Sequence, residues 1–262
     1  MDQNMQLEPQ TKDDDLQVTC TRQGAVAIVR FSRGSKNHFS TGLITALADA
    51  FEEAELDPAV RAFVLASDGR NFCAGADLVG GNEEPSRLYT QALRLFSIAK
   101  PIVAAVQGAA IGGGLGLALV ADFRIVASSS RLAANFVKIG IHPGFAMTHV
   151  LPRIVGHQRA AEIFYTGRRL TGEEALAIQL ADRLVPEQDL LDVALELATE
   201  IAANAPLAVE ATRATLRVGL VEAIRKQTDH EASEQLRLRV TNDFAEGVRA
   251  VAERRPGDWT RS

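Results

Sequence analysis

The chain has 262 residues, of which 47% are hydrophobic and 23% charged, and its formal net charge is −5. This length and apolar content suit one sizeable domain with a full core, and the lack of a basic stripe argues against general nucleic-acid binding. The two cysteines, Cys20 and Cys73, lie far apart, which indicates neither a disulfide framework nor a zinc site and suits a reducing cytoplasm.

The start of the chain is acidic and polar. Residues 1–17 contain neither the basic nor the apolar region of a targeting peptide. No apolar run in the sequence reaches the length of a membrane span. We therefore predict a disordered tail over residues 1–15, no membrane association and a cytoplasmic protein.

Strands and one helix are predicted after the tail. Residues 16–20 and 25–31 have the pattern of two strands joined by a turn. Ser40 is placed to cap a helix whose apolar residues have helical spacing and which ends before Asp57. Residues 61–66 then predict a buried strand.

The middle of the chain alternates between helical and strand patterns. A helix is predicted from about residue 83 to 97, a strand from Pro101, and a further strand over 123–127. This alternation predicts an α/β core with parallel strands, in which loops at the carboxyl ends of the strands carry the site. Helical patterns dominate after Met147, and Pro206 suits a first helical turn. We divide the chain into an α/β core over 16–200 and a C-terminal helical oligomerisation region over 201–262.

Two turns rich in glycine and alanine each follow a predicted strand. They are Asn71-Phe-Cys-Ala-Gly-Ala-Asp-Leu78 and Gly108-Ala-Ala-Ile-Gly-Gly-Gly-Leu-Gly116. Small residues let a ligand approach the backbone closely, and N–H groups at a helix start favour negative charge. Two such turns together could hold one oxygen from two sides, which is the geometry of an oxyanion hole.

At these residues the chain resembles the enoyl-CoA hydratase/isomerase (crotonase) superfamily, and the resemblance extends from about residue 18 to 259. Several further segments carry it in the usual order. They are Ala121-Asp-Phe-Arg-Ile-Val126, Phe164-Tyr-Thr-Gly167 with Ala175, Ala181-Asp-Arg-Leu-Val-Pro186 and Asp243-Phe-Ala-Glu-Gly247. The resemblance implies a spiral ββα fold with C-terminal helices, and a homotrimer or a dimer of trimers.

The resemblance also implies a site for an acyl-CoA thioester. The family's oxyanion donors correspond to the backbone N–H groups of Ala76 and Gly113, which would bind the thioester carbonyl as it becomes enolate-like. Coenzyme A would be part of the substrate, with no other cofactor and no metal. The positions expected to line the substrate are Ala74, Asp77, Gly112, Phe136 and Gly144.

The sequence departs from the family at the catalytic carboxylates. Hydratases of the family use two glutamates, and the matching positions here are Gly116 and Phe136, the latter on a strand-like stretch. Other members place an aspartate near Pro143, Gly144 and Phe145, where this chain has none. The resemblance therefore implies an acyl-CoA site and leaves the reaction open.

His142 is the first candidate for the missing acid or base, because it adjoins the Pro143-Gly144 turn and histidine can titrate near neutrality. A loop histidine bonded to backbone is the alternative. His149, Glu83, Glu84 and Tyr89 are further candidates, and a structural role is the favoured interpretation of each. Asp77 suits a cap of its turn.

Two cations lie in the loop after the second strand. Arg33 and Lys36 would suit the phosphates of coenzyme A, and a plain surface-charge role explains them equally well.

Three functions compete. The first is an acyl-CoA-transforming enzyme with non-standard acid and base groups, a lyase or isomerase of fatty acid metabolism by resemblance. The second is a non-catalytic acyl-CoA-binding protein. The third is a thioester or carbon–carbon hydrolase built on the same oxyanion hole. A peptidase is disfavoured, because the sequence shows no Ser/His/Asp arrangement around the two turns.

Overall fold

The computed structural model describes residues 15–76 and 84–262, and the described chain is a mixed α/β structure. The strands are β1 (Leu16–Gln23), β2 (Val26–Arg33), β3 (Ala62–Ser67), β4 (Ile102–Val106), β5 (Ala109–Ile111), β6 (Phe123–Ala127), β7 (Arg131–Ala133), β8 (Leu170–Thr171) and β9 (Arg183–Val185). The helices are α1 (Thr41–Glu55), α2 (Pro85–Ser97), α3 (Gly113–Ala118), α4 (Met147–Val155), α5 (His157–Thr166), α6 (Gly172–Ala177), α7 (Leu190–Ala202), α8 (Pro206–Leu216), α9 (Leu220–Arg239) and α10 (Asn242–Ala252).

The main sheet has the strand order β1-β2-β3-β4-β6-β9. The β1–β2 pair is antiparallel, and every later pair is parallel, as the alternating pattern predicted. Alternate residues of each strand face opposite sides of the sheet. Val64 and Val103 pack against α7, whereas Phe63 and Leu65 face the larger core that includes α1.

A second, smaller sheet of order β5-β7-β8 lies beside the main one. Two isolated bridges hold the first glycine turn in place. Cys73 pairs with Ala110 of β5, and Ala76 pairs with Phe39 in the loop before α1. The short strand β5 lies inside the second glycine-rich motif, where the sequence pattern predicted only a turn. The bridge between Cys73 and Ala110 places the two motifs side by side.

The C-terminal helices pack on the core. Arg213 of α8 is buried, donates to Asp122 at 2.9 and 3.0 Å, and also donates to the carbonyl oxygen of Ile98. Helix α9 contacts α2 and α4. The region over 201–262 therefore shares its packing with the core, and its predicted role in oligomerisation stays a prediction.

The local predictions hold at several elements. The first strand pair, the strand over 123–127 and the helix capped by Ser40 are present, and the Ser40 hydroxyl accepts from the N–H of Leu43 at 3.1 Å. The helix start expected after the second glycine turn is present as α3, which ends at Ala118.

The strand-like assignment of Phe136 is wrong. Residues Asn135–Ile139 form a 3-10 helix that ends at Gly140, whose φ of 68° turns the chain. A Cβ at Gly140 would lie 2.7 Å from the carbonyl oxygen of Asp243, so α10 approaches the chain closely there. A resemblance in sequence fixes the position of a residue along the chain, and the local backbone conformation still depends on packing such as this contact with α10.

The tail predicted over residues 1–15 lies outside the described residues except for Asp15. Within residues 15–76 and 84–262, no helix has the length and apolar character needed to cross a membrane.

Candidate active site

The first glycine turn runs between two backbone segments. On one side, the N–H of Ala74 donates to the carbonyl oxygen of Lys36 at 3.0 Å. On the other side, the N–H of Cys73 donates to Ala109 at 2.8 Å, and Ile111 donates back to Cys73 at 3.0 Å. Residues 73–76 are therefore held as the middle strand between the loop before α1 and β5.

The direction of the Ala76 N–H follows from this arrangement. The carbonyl oxygen of Gly75 accepts from the N–H of Phe39 at 3.0 Å. A trans peptide is planar, so the N–H of Ala76, in the same peptide, points the opposite way. It therefore points to the side on which β5 leads into α3.

The second glycine turn begins α3. Gly112 has φ 54° and ψ −120°, and its carbonyl oxygen accepts from Gly116 at 3.1 Å. By the same planarity, the N–H of Gly113 points out of the start of the helix. A Cβ at Gly114 would lie 2.2 Å from the carbonyl oxygen of Cys73, so glycine lets the helix start lie directly against the first turn.

Three aromatic rings cover the glycines of this helix start. A Cβ built at Gly112 would lie 3.7 Å from Cζ of Phe136, one at Gly113 would lie 2.9 Å from Cδ1 of Phe39, and one at Gly116 would lie 2.8 Å from Cδ1 of Phe145. The side of α3 at which the family resemblance expects a carboxylate is therefore apolar. Phe145 leaves no room for a larger side chain at Gly116.

The turn carrying Phe145 has a strained backbone. Phe145 and Ala146 have φ values of 61° and 57°, a region that residues with a Cβ rarely adopt. The buried carboxylate of Glu231 on α9 accepts from the N–H of Ala146 at 2.7 Å and from the N–H and hydroxyl of Thr148 at 3.1 and 2.5 Å. These bonds fix the turn, and burial raises the pKa of Glu231 to about 7.

Tyr89 and Gln235 fix the same turn from α2 and α9. The Tyr89 hydroxyl donates to Oε1 of Gln235 at 2.9 Å, and Nε2 of Gln235 donates to the carbonyl oxygen of His142 at 2.9 Å. A Cβ at Gly144 would lie 1.9 Å from the Tyr89 hydroxyl, so this position requires glycine. Burial raises the pKa of Tyr89, which keeps its hydroxyl protonated as a donor. Tyr89 therefore has a structural role, packing against Gly144 and bonding Gln235, which was one of the two roles that the sequence allowed.

His142 lies between this turn and α9. Its Nδ1 lies 2.6 Å from the carbonyl oxygen of Pro143, and because a carbonyl only accepts, that nitrogen carries the proton. Its ring meets that of His230 edge-on, with centroids 5.9 Å apart. Nε2 is then the ring atom left to exchange a proton, and the acid/base role of His142 stays a prediction.

The loop of Arg33 and Lys36 borders the first turn. Lys36 is exposed while its carbonyl oxygen is bonded to Ala74, and Nη1 of Arg33 donates to the carbonyl oxygen of His38 at 2.9 Å. The backbone of Lys36 therefore adjoins the donor segment, the Arg33 guanidinium bonds within the same loop, and the role of both cations in phosphate binding stays a prediction.

His38 is a residue that the sequence reasoning missed. Its Nδ1 lies 3.0 Å from the carbonyl oxygen of Gly75, in the peptide that carries the Ala76 N–H. A hydrogen bond to a carbonyl oxygen polarises the peptide group and makes the N–H of the same peptide a stronger hydrogen-bond donor. Asn37, with φ 51°, fixes the loop by donating to the carbonyl oxygens of Asp68 and Asn71, both at 2.8 Å. An Asn-His pair in a polar loop is the only sequence signal of this arrangement.

The buried cysteine and the remaining candidates are placed as follows. Cys73 is buried, and burial raises the pKa of its thiol to about 12, which opposes a nucleophilic role. Burial also lowers the pKa of His149. Glu84 is exposed and accepts from the Ser86 hydroxyl at 2.7 Å. Asp77 and Glu83 lie outside the described residues.

No three His, Cys, Asp or Glu side chains group as metal ligands within 15–76 and 84–262.

The parallel sheet, the two adjoining glycine turns and the packed C-terminal helices define a protein of the crotonase fold. An enoyl-CoA hydratase/isomerase from Pseudoalteromonas atlantica has this fold, with a TM-score of 0.83 and 29% identity over 94% of this chain and 100% of that one. The chain matches the enoyl-CoA hydratase/isomerase family over residues 21–262 and belongs to it.

Curated relatives agree with this assignment. A putative enoyl-CoA hydratase of Thermus thermophilus is 36% identical over 250 residues, covering 89% of this chain and 97% of the relative. A carnitinyl-CoA dehydratase of Salmonella arizonae is 34% identical over 251 residues, covering 91% and 96%.

Proposed function

We propose that this protein transforms an acyl-CoA thioester by stabilising its enolate between the backbone N–H groups of Ala76 and Gly113. The observation that carries the proposal is the close contact of the two glycine turns. The Ala76 N–H points toward the β5–α3 side, and the Gly113 N–H points out of the start of α3. Preorganised donors of this kind are worth most where negative charge develops in the transition state.

The chemistry differs from hydration by two glutamates. Phe145 covers Gly116, and Phe136 stands at the position that the family resemblance assigns to the other glutamate. An apolar wall strengthens the two donors by excluding water and provides no group to position a water for addition. His142 is the proposed proton carrier, through Nε2. Enolate formation followed by reprotonation, as in an isomerase, or by expulsion of a leaving group, as in a lyase, fits these residues.

The substrate contacts extend this site. Ala74, Gly112, Phe136 and Gly144 would line the acyl thioester, and Asp77 belongs to the same proposal. Arg33 and Lys36 would bind the phosphates of coenzyme A, which is part of the substrate, and no other cofactor is required. We also propose a cytoplasmic homotrimer or dimer of trimers, which light scattering on the purified protein would test.

Exchange of the α-protons of butanoyl-CoA in D2O tests enolate formation without knowledge of the natural substrate. The wild type should catalyse this exchange. Gly113→Pro removes the donor and should reduce the exchange about 10²–10³-fold. Gly113→Ala is the matched control, because it also places a Cβ against Phe39 but keeps the N–H, and it should exchange at least tenfold faster than the proline variant.

The other outcomes identify the competing functions. Tight binding of butanoyl-CoA without exchange in the wild type would mean a binding protein. Release of free thiol from the thioester would mean a hydrolase. Equal exchange rates in the proline and alanine variants would show that the Gly113 N–H is not a donor of the oxyanion hole.

A further inference from the structure

Phe145 is buried in a cluster of aromatic rings beside the proposed oxyanion hole. Its side chain is 2% exposed. Its ring meets Phe39 edge-on with centroids 5.2 Å apart, and it lies 6.1 Å from the ring of Phe96 on α2. Phe145 thus fills the space between α2 and α3.

The position of this ring relative to the proposed donor is defined. Phe39 lies against Gly113, and Phe145 lies against Gly116, three residues further along α3. With a rise of 1.5 Å per residue, the ring contacts the helix about 4.5 Å beyond the donor along its axis. An acyl chain that leaves the thioester along α3 therefore meets Phe145 after a short distance.

The surrounding contacts hold Phe145 in this position. Its backbone φ of 61° is unfavourable for a phenylalanine and persists only if neighbouring contacts impose it. Glu231 bonds the N–H of Ala146, and the Tyr89 hydroxyl with Gln235 fixes residues 142–144. A ring fixed by both α2 and α9 forms a firm wall.

We infer that Phe145 determines acyl-chain specificity, closing the acyl pocket so that the protein accepts short acyl groups. The inference rests on the proposed function, since it assumes that the thioester carbonyl lies at Ala76 and Gly113. It extends that proposal by naming the substrate class and the residue that sets it.

Calorimetric titration with free CoA, butanoyl-CoA and octanoyl-CoA tests the inference. The wild type should bind butanoyl-CoA at least tenfold more tightly than octanoyl-CoA. Phe145→Ala should remove this difference, and Phe145→Leu, a milder change that keeps more of the core, should reduce it. Phe51→Ala is the matched control, because Phe51 is also buried and meets Phe63 edge-on with centroids 4.9 Å apart, away from this turn. It should keep the wild-type preference.

The results separate the inference from the proposed function. If the wild type binds octanoyl-CoA as tightly as butanoyl-CoA, or if both Phe145 variants keep the wild-type preference, the inference is overturned while the proposed function stands. If neither acyl-CoA binds more tightly than free CoA, the proposed function fails and the inference fails with it.

Discussion

The carboxylate of Glu231 accepts a hydrogen bond of 2.7 Å from the backbone N–H of Ala146, a residue 85 positions earlier in the chain. This bond joins α9 to the strained turn that positions Phe145. A C-terminal helix thereby contributes directly to the wall of the candidate active site. The carboxyl is buried, and burial raises its pKa to about 7.

Stability should depend on pH through Glu231. In the unfolded chain this carboxyl ionises near 4.5, so between pH 4.5 and about 7 the folded state binds the proton more tightly than the unfolded state. The stabilisation from this group is fully present below pH 4.5 and is lost as the pH rises through about 7. Glu231→Gln has no proton to lose. Across this pH range, urea denaturation should show the free energy of unfolding of the wild type falling by about 3 kcal/mol relative to that of the variant. The same pH dependence in both proteins would contradict the assignment.

A carboxylate introduced at position 116 should not fit. In Gly116→Glu the new side chain would collide with the Phe145 ring and bury an unpaired charge, and the free energy of unfolding should fall by about 3 kcal/mol or more. Adding Phe145→Gly should recover much of this loss, because glycine opens the space and accepts the positive φ at that position. Urea denaturation of the single and double variants measures the effect. A single variant as stable as the wild type would show that the ring moves freely.

Crotonyl-CoA hydration by the wild type should be low or absent. General acid and base groups typically supply about 10²–10⁴-fold, and the two positions that the family resemblance assigns to the glutamates carry Gly116 and Phe136. The loss of absorbance of the enoyl thioester measures the reaction. A turnover typical of an efficient hydratase would mean that other groups position the water.

His38 should act as a positioning residue for the Ala76 donor. His38→Ala removes the hydrogen bond to the Gly75 carbonyl and should weaken α-proton exchange about fivefold, the equivalent of one net hydrogen bond of about 1 kcal/mol. The affinity for butanoyl-CoA should change less than the exchange rate, because the donor gains strength with the developing charge. His38→Asn, which can donate to the same carbonyl, should restore part of the rate. An equal loss in both variants would assign His38 a merely structural role.

His142→Gln tests the proposed proton carrier. Exchange should fall at least tenfold with little change in acyl-CoA affinity, because the change removes a proton-transfer group and leaves the two N–H donors intact. His230→Gln is the matched control, since it alters the ring packed against His142 but not His142 itself. If His142→Gln loses stability but keeps its activity per folded molecule, His142 is a structural residue.

Much of the fold could be predicted because its signals are local. The Ser40 cap, the apolar spacing of α1 and the strand over 123–127 depend on neighbours within a few residues. The motif carrying Gly113 is visible in the sequence for the same reason. The resemblance misled at Phe136, where it implied a strand-like stretch and the chain forms a 3-10 helix ended by Gly140.

The sequence by itself determined that two small-residue turns follow strands and that positions 116 and 136 carry no carboxylate, because both facts are properties of residue type and order. Only the tertiary structure decided which side chain fills the space beside Gly116, where the family resemblance expects a carboxylate. The contacts of Phe145 with Gly116, His38 with Gly75 and Glu231 with Ala146 join separate segments of the chain. Their formation depends on how helices and turns pack in three dimensions, and no periodicity along the chain encodes which ring fills which gap.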